Sequence, residues 1–388
     1  MNGLLHVLLW ASLAMVLFGA AVLPLNFRTM PRLSRTGRAE PAAWPSVSIV
    51  VPARDEERGI EDAVRSQLAQ DYPEFEVIVV DDRSTDSTRE ILERLAREYP
   101  RLRVIAGGEP PPGWLGKPHA LHQGAAASTG GILLFADADV RYDRRAVREA
   151  VALMESDRLD FVALFPGFEM RGFWENVLMP YLPIAYFFGL GFLASSDRHR
   201  WMAVGGGAGN IMRRGAYEAV GGHAAIRDSV IDDVRLARAF KQGGYRCRVA
   251  RADDRVRVRM YRGFREIFDG FTKNTSFVFA GGFGLVFLLA TVWTVIAAIA
   301  PAAVLGAAAL GLPVASADVR LAACALALTL ALRALLASRF GWPQWPAWTH
   351  PLMAVVWGGI ILRSLHRRFV RRELLWRGRR YDATRARF

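Results

Sequence analysis

Apolar residues are concentrated at the two ends of this 388-residue chain, and this distribution constrains its fold more than any other feature. Residues Gly3 to Leu25 contain no acidic or basic side chain apart from one histidine and are long enough to cross a bilayer as a helix. A cleaved signal peptide is the alternative, which the lack of a positive start and the length of the apolar run disfavour. The sequence therefore predicts a transmembrane anchor over residues 1–26.

A basic linker over residues 27–45 is predicted to follow the anchor. It carries four arginines: Arg28, Arg32, Arg35 and Arg38. By the positive-inside rule, these arginines place the next segment in the cytoplasm.

Three further apolar segments lie near the C-terminus, at residues 277–312, 321–337 and 352–362. Tryptophans precede the last of them, as is typical of a membrane interface. The following tail carries eight arginines from Arg363 to Arg380, which favours the cytoplasm. Three full spans would leave the tail outside, so we expect one segment to be re-entrant or interfacial. We predict a membrane region over 275–365, a basic tail over 366–388, and a multi-pass protein of the cytoplasmic membrane.

Residues 46–274 have the composition of a globular α/β domain. Short, β-branched apolar runs predict buried strands at 48–51, 77–80, 103–105 and 132–135. Helical patterns lie between them at 57–70, 87–99 and 117–128. This alternation predicts a doubly wound α/β fold, in which ligands bind beyond the carboxyl ends of the strands.

One apolar run, Val177 to Ala194, falls inside the globular region. A membrane span here would put the acidic residues before and after it on opposite sides of the membrane. Because Pro180 and Pro183 lie near its start, we predict an interfacial segment. A buried core helix is the alternative.

The formal net charge is +13, and nearly all the cations are arginines. This charge suits an anionic membrane surface or phosphate-bearing substrates. Zinc-finger spacing, an RNA-binding aromatic motif and a basic region leading into heptads are all absent from the sequence, which argues against nucleic acid as a partner. Cys247 and Cys324 are far apart in sequence and indicate neither a disulfide framework nor a metal site.

Acidic residues follow two of the predicted strands. The second runs into Asp81 and Asp82, and the fourth into Asp137 and Asp139. In a turn, two carboxylates one residue apart can approach a divalent ion that also holds a diphosphate, which is how Mg²⁺ or Mn²⁺ is usually bound. Helix capping or turn formation is the purely structural alternative.

Two more motifs carry possible chemistry. Asp232 and Asp233 open a helical stretch, where they could supply a general base or simply complement the helix dipole. Gly113 to Lys117 is a glycine-bracketed loop before a helix and could set a cation against phosphate. The run from Gly205 to Gly209 lacks the spacing of a dinucleotide fingerprint.

The order of these motifs resembles the family 2 glycosyltransferases with a GT-A fold. The resemblance covers residues 46–274 and rests on five strings: Val51–Glu57, Val79–Thr88, Gly116–Lys117, Asp137–Asp139 and Ile231–Ala237. Outer strings at 111–118, 258–262 and 376–379 look like the membrane-bound branch that acts on hopanoid, carotenoid or similar polyisoprenoid-type lipids.

The resemblance implies roles position by position. Pro52, Ala53 and Glu56 match the nucleotide-binding loop, and Asp82 matches the carboxylate that binds the nucleobase. Lys117 and Asp137 match donor contacts, and Asp137 and Asp139 match the ligands of a divalent cation, Mg²⁺ or Mn²⁺. Asp233 matches the catalytic base, with Asp232 beside it. This sequence departs from the family pattern at Asp55, often Asn, and at Asp232, usually Glu.

The resemblance implies an inverting glycosyltransferase that moves a sugar from a UDP- or GDP-sugar to a hydroxyl or carboxyl of a membrane lipid. The acceptor is expected to be polyisoprenoid-, hopanoid-, carotenoid- or sphingolipid-like. A processive polysaccharide synthase is one alternative, although the nearest string to that group's Gln-x-x-Arg-Trp motif, Asp197 to Trp201, precedes the proposed base and lacks Gln. A non-catalytic membrane scaffold that retains the fold is the other.

Overall fold

The computed structural model describes the backbone of residues 2–35, 38, 40–195, 199–200, 202–278, 284–371, 373–376 and 379–382. Side chains are described in the same ranges except at 2, 276–278, 284–294 and 373–382. The chain forms two compact units. The sheet unit comprises residues 28–169 and 192–260, and the helical unit comprises residues 1–27, 170–191 and 261–388.

The helices, in chain order, are α1 (Asn2–Thr29), α2 (Ile60–Leu68), α3 (Thr88–Glu98), α4 (Gly116–Ala127), α5 (Ala146–Asp157), α6 (Phe173–Leu178), α7 (Tyr181–Phe187), α8 (Gly191–Ala194), α9 (Arg214–Ala219), α10 (Asp232–Gln242), α11 (Gly263–Val278), α12 (Gly284–Ala309), α13 (Ser316–Phe340) and α14 (His350–Leu365). The strands are β1 (Val47–Ala53), β2 (Phe75–Asp81), β3 (Leu102–Ala106), β4 (Ile132–Phe135), β5 (Val140–Tyr142), β6 (Phe161–Phe168), β7 (Asn210–Arg213), β8 (Cys247–Val258), β9 (Glu373–Trp376) and β10 (Arg379–Asp382).

One mixed sheet organises the sheet unit, with strand order β3-β2-β1-β4-β7-β6-β8-β5. β1 pairs in parallel with β2 and β4, and β2 pairs in parallel with β3. Beyond β4 the sheet is mixed, and β7 is antiparallel to both β4 and β6. β8 is parallel to β6 and antiparallel to the edge strand β5.

The four predicted strands are the parallel half of this sheet. In β1 and β4 every apolar side chain except Pro52 is buried, because helices cover both faces of a parallel sheet. The helices predicted between them form as α2, α3 and α4, each within a few residues of its expected ends. The expectation of a mainly parallel sheet did not include β5 to β8, so the observed sheet is mixed.

Part of the predicted basic linker belongs to the sheet unit. Leu33 is fully buried, and its N–H donates to the Arg251 carbonyl at 2.7 Å. The Arg251 N–H in turn donates to the Pro31 carbonyl at 2.8 Å. This added edge pairing explains why residues 28–35 pack on the sheet.

Among the residues that the structure describes, two helical stretches are long and apolar enough to cross a membrane, at Gly3–Thr29 and Ser316–Phe340. A shorter apolar stretch runs from Val295 to Ala309. The predicted segment 277–312 is two helices, α11 and α12, with residues 279–283 outside the described part of the chain. Arg377 and the tail beyond residue 382 are likewise outside it, as are Asp197 and Trp201.

The predicted interfacial segment 177–194 is not one helix. It forms the end of α6, then α7 and α8, and most of its apolar side chains are buried. Tyr181 stacks on Trp357 with ring centroids 3.9 Å apart, and Asn26 donates to the Phe187 carbonyl at 2.8 Å. These contacts pack the segment within the helical unit as far as Gly191, and its position at a membrane interface stays a prediction.

Candidate active site

The candidate site lies at the carboxyl edge of the parallel strands. β2 ends at Asp81, and the turn holding Asp137 and Asp139 follows β4 directly. Since β2 and β4 both pair in parallel with β1, their ends meet at one edge of the sheet. Helices α4 and α10 bring Lys117 and Asp232 to the same place, because both residues lie in the first turn of their helices.

Lys117 holds two carboxylates together. Its Nζ lies 2.8 Å from Asp137 Oδ1 and 3.3 Å from Asp232 Oδ1. Burial opposes the charged ammonium, but the negative charges of Asp137, Asp232 and Asp233 outweigh it, so the pKa of Lys117 lies well above its ordinary value. The lysine therefore stays protonated and carries a positive charge within an acidic cluster.

Asp139 completes the acidic turn. Burial, together with the negative charges of Asp137 and Glu56, raises the pKa of the Asp139 carboxyl to about 7. Within the described residues, no group of three or more acidic, His or Cys side chains is arranged to hold a metal ion by itself. Two carboxylates with substrate phosphates are nevertheless a usual donor set for Mg²⁺ or Mn²⁺, and the concentration of negative charge suits a cation. The residues present fit such an ion.

The two acidic residues at the start of α10 have different surroundings. Asp232 is 4% exposed and pairs with Lys117, and burial raises the pKa of its carboxyl to about 7. Asp233 is partly buried, and its Oδ1 accepts the N–H of Val234 at 2.8 Å. Burial and the charge of Asp137 raise the pKa of Asp233, while Lys117 lowers it. Asp233 is thus more exposed to solvent than Asp232 and has a raised pKa, two properties that suit a general base.

A glycine loop that the sequence motifs did not assign to the site lies against these carboxylates. The Asp137 N–H donates to the Gly207 carbonyl at 2.7 Å. A Cβ on Gly207 would lie 1.9 Å from Asp137 Oδ2, and one on Gly205 would lie 2.1 Å from the Asp233 carbonyl oxygen. The loop therefore needs glycine for close approach, a signal that spacing alone does not carry.

Asp82, predicted to contact the nucleobase, is 7% exposed and already paired with two arginines. Arg83 Nη2 lies 2.8 Å from Asp82 Oδ1, and Arg54 Nη1 lies 3.6 Å from Asp82 Oδ2. Arg83 has a left-handed φ of 57°, which sharpens the turn after β2. A nucleobase would have to share this carboxylate with the arginines, which the sequence did not indicate.

The loops after β1 and β2 interlock. Asp55 Oδ1 accepts the Thr85 N–H at 2.7 Å, and the Glu56 N–H donates to Thr88 Oγ1 at 2.7 Å. The Asp82 N–H donates to the Ala53 carbonyl at 2.8 Å, and Pro52 lies just before that residue on β1. Asp55 acts here as an acceptor at a φ of 52°, a conformation open to Asp and Asn alike, so its departure from the family pattern keeps the contact.

Comparison with known proteins agrees with this geometry. Residues 48–221 match the family model of glycosyl transferase family 2. This part of the chain is a family 2 glycosyltransferase domain. The span covers β1 to β7, and so includes Asp82, Lys117 and the acidic turn.

Two curated relatives share a name. The 4,4'-diaponeurosporenoate glycosyltransferase of Staphylococcus haemolyticus (strain JCSC1435) is 26% identical over 260 residues, which are 63% of this chain and 64% of the relative. The protein of that name from Staphylococcus aureus (strain USA300) is 28% identical over 236 residues, 60% of this chain and 61% of the relative. The chain thus spans less than two thirds of the length of these relatives.

Among solved structures, a mannosyltransferase from Pyrobaculum calidifontis in complex with GDP-Man and Mn²⁺ matches with a TM-score of 0.55. It is 22% identical, and the match covers 92% of this chain and 99% of that one. This similarity concerns the fold, and it confirms the GT-A architecture expected from the motifs.

Proposed function

We propose that the chain is an inverting glycosyltransferase that moves a sugar from a nucleoside-diphosphate donor to a hydroxyl or carboxyl of a membrane lipid. The observation that supports this most strongly is the pairing of Lys117 with both Asp137 and Asp232, at 2.8 and 3.3 Å. It brings a phosphate-binding cation, the acidic turn and the first turn of α10 together at the edge where doubly wound folds bind ligands.

In this proposal the donor lies along the carboxyl edge of the sheet. The loop of Pro52, Ala53 and Glu56, together with Asp82, binds the nucleoside, and Lys117, held by its two carboxylates, offers its remaining N–H group to the diphosphate. Asp137 contacts the donor and shares with Asp139 the binding of Mg²⁺ or Mn²⁺. That ion, when bound, neutralises the charge that develops on the departing diphosphate. The donors of the mannosyltransferase neighbour and of this chain would then be alike in class.

Asp233 is the proposed base. Its carboxylate takes the proton of the acceptor hydroxyl as the acceptor oxygen bonds to the anomeric carbon. The bond from that carbon to the diphosphate breaks on the opposite face, so the configuration inverts and no covalent nucleophile is needed. Asp232, buried and paired with Lys117, positions that lysine. A carboxylate acceptor is already ionised and would need no base, which gives the proposal an internal test.

The membrane part of the proposal rests on composition and relatives. In the described part of the chain, two helical stretches are long and apolar enough to span a bilayer. The relatives are named for diaponeurosporenoate, so an apolar acceptor of carotenoid or polyisoprenoid type is the class to test first. A multi-pass protein with its catalytic domain in the cytoplasm follows from the arginine distribution.

The deciding experiment is a transfer assay with the full-length protein in membranes, using a panel of radiolabelled UDP- and GDP-sugars. We expect label in the organic phase, carried by a glycolipid that holds a single added sugar. Label in a high-mass polymer would instead support a polysaccharide synthase. No transfer or donor hydrolysis with any sugar nucleotide would support the scaffold alternative.

A further inference from the structure

A buried arginine stands out in the helical unit. Arg333 lies on α13, inside the stretch Ser316–Phe340 that is apolar enough to span a membrane, and it is only 3% exposed. Ionisable residues in such segments are rare, and they usually mark a ligand site or a pairing with another charge. The glycosyltransferase chemistry proposed above does not use this residue.

The partners of Arg333 do not neutralise it. Its Nη1 donates to Met353 Sδ at 2.8 Å, and its Nη2 donates to the Val177 carbonyl at 3.3 Å. Within the described residues no carboxylate pairs with this guanidinium. A thioether and one carbonyl are weak acceptors for a group with five N–H donors and a full charge.

The arginine lines a narrow crevice. Counted with the solvent at its mouth, the open volume is about 290 Å³, but the enclosed part has room for only about one water molecule. Apolar side chains form most of the lining, among them Ile184, Leu336 and Trp342. Asn176 is the other polar residue there, and it is 6% exposed. Its Nδ2 donates to the Gly172 and Met170 carbonyls, while its buried Oδ1 has no hydrogen-bond partner in the described part of the chain. The crevice thus offers charged donors and one spare acceptor.

Arg333 lies in the last third of α13. Arg333 lies seven residues before the end of α13 at Phe340, which is about 10 Å along a helix axis. Trp342, Trp345 and Trp348 follow that end, as at a membrane interface. Arginines near helix ends commonly reach toward the head-group layer.

We propose that this crevice binds the oxyanion of an amphiphile, a phosphate or carboxylate head group whose apolar tail lies along the walls. The guanidinium would bind the oxyanion through two N–H groups, and Asn176 Oδ1 would accept a hydrogen bond from a head-group hydroxyl. A purely structural arginine, which only links α13 to Val177 and Met353, is the alternative that the experiment excludes.

The test uses the full-length protein in phosphatidylcholine nanodiscs doped with phosphatidylglycerol, whose head group carries both an oxyanion and hydroxyls. Lipid retained after transfer to detergent is counted by native mass spectrometry. We expect one retained phosphatidylglycerol per chain, and at least about a tenfold loss of affinity for Arg333→Gln. Arg333→Lys should be intermediate, because lysine keeps the charge without the two-pronged geometry. Arg320→Gln, which removes an exposed arginine from the same helix, is the matched control and should bind normally.

Three results would overturn the proposal: unchanged retention by Arg333→Gln, equal retention of phosphatidylcholine, or displacement of the lipid by equimolar inorganic phosphate, which would show a simple anion site. Should Arg333→Gln fail to fold, thermal unfolding of the wild-type protein decides. Phosphatidylglycerol should raise the Tm above that in phosphatidylcholine alone, and no difference would refute the site.

Discussion

At the scale of single residues, the two carboxylates that begin α10 differ in surroundings more than in chemistry. Asp232 is buried against Lys117, whereas Asp233 is only partly buried and does not lie within ion-pair distance of that lysine in the described structure. Sequence alone could place both at a helix start but could not divide their roles, since either could be the base.

Asp233→Asn should therefore reduce turnover by about 10²–10⁴-fold with a hydroxyl acceptor, the usual cost of losing a positioned base. Donor binding should be near normal, as measured by nucleotide-sugar titration of the same variant. Asp232→Asn is the matched neighbour, and its main effect should be weaker donor binding through Lys117. A dead Asp232→Asn with normal donor binding, beside an active Asp233→Asn, would assign the base to Asp232. With a carboxylate acceptor, Asp233→Asn should lose far less.

Asp139→Ala should abolish transfer while leaving the protein folded, because the side chain is proposed to serve the cation rather than the core. Transfer by the wild type should stop in excess EDTA and return with Mn²⁺ or Mg²⁺. Asp71→Ala, which removes an exposed aspartate elsewhere in the sheet unit, should change neither property. Full activity of Asp139→Ala in EDTA would remove the metal role.

His223 gives the fold a predicted pH dependence. It is 1% exposed, and burial together with the charge of Lys117 lowers its pKa to about 3. Because the unfolded side chain has a pKa of about 6.5, the folded state is disfavoured as pH falls from there toward 3, by up to about 1.4 kcal/mol per pH unit. The raised pKa values of Asp139 and Asp232 act in the opposite direction over this range, so the effect of His223 is measured as a difference. As pH falls from 7 to 5, the Tm of His223→Gln should rise relative to that of the wild type. Parallel pH profiles of the two proteins would place the effect elsewhere.

At the scale of elements, the glycine loop at 205–207 is a support for the acidic turn. Gly207→Ala should push the Asp137 carboxylate away from Lys117, because the new Cβ would lie 1.9 Å from Oδ2. We expect transfer to fall at least about tenfold in a folded protein, with a raised requirement for Mn²⁺. Gly206→Ala is the control, since nothing lies within 4 Å of its Cβ position, and it should stay within about twofold of wild type. Equal activities of the two variants would contradict this role.

The half of the sheet that sequence predicted is the half with strong local signals. β1, β2 and β4 are nearly continuous apolar runs, as expected for strands covered on both faces. β5 has only three residues, too few for a pattern, and the four residues of β7 begin with Asn210 and end with Arg213, which leaves no apolar run. β8 does alternate, with Val256 and Val258 buried on either side of an exposed Arg257, but its many charges obscured the strand.

The candidate site likewise has a part that local sequence signals predict and a part that they do not. Strand ends and helix starts predicted Asp82, Asp137, Asp139, Lys117 and Asp233 as site residues, because these positions converge in any doubly wound sheet. The pairing of Asp82 with Arg54 and the approach of Gly207 to Asp137 depend on contacts between segments that are distant in sequence. No local pattern carries such contacts, so only the structure gives them.

At the scale of the whole molecule, the arginine distribution predicts that the sheet unit and the C-terminal tail share the cytoplasmic side. The test is a Thr384→Cys variant with Cys324, the exposed native cysteine, replaced by serine; Cys247 is buried. In intact cells an impermeant maleimide should leave the tail unlabelled, and permeabilised cells should be labelled. Labelling from outside would mean three full spans in the C-terminal region.

The edge strand β5 links the acidic turn to the order in which the protein is made. The turn is bounded by β4 and β5, and β5 has β8 as its strand partner, through pairs such as Tyr142 with Val256. A chain emerges from the ribosome N-terminus first. The strand that pairs with β5 is therefore synthesised more than a hundred residues after the acidic turn. A nascent chain that ends before Cys247 can carry all the proposed cation ligands and still lack the partner that holds one side of them in place. Competence for catalysis is therefore acquired late in synthesis, well after the residues that confer it.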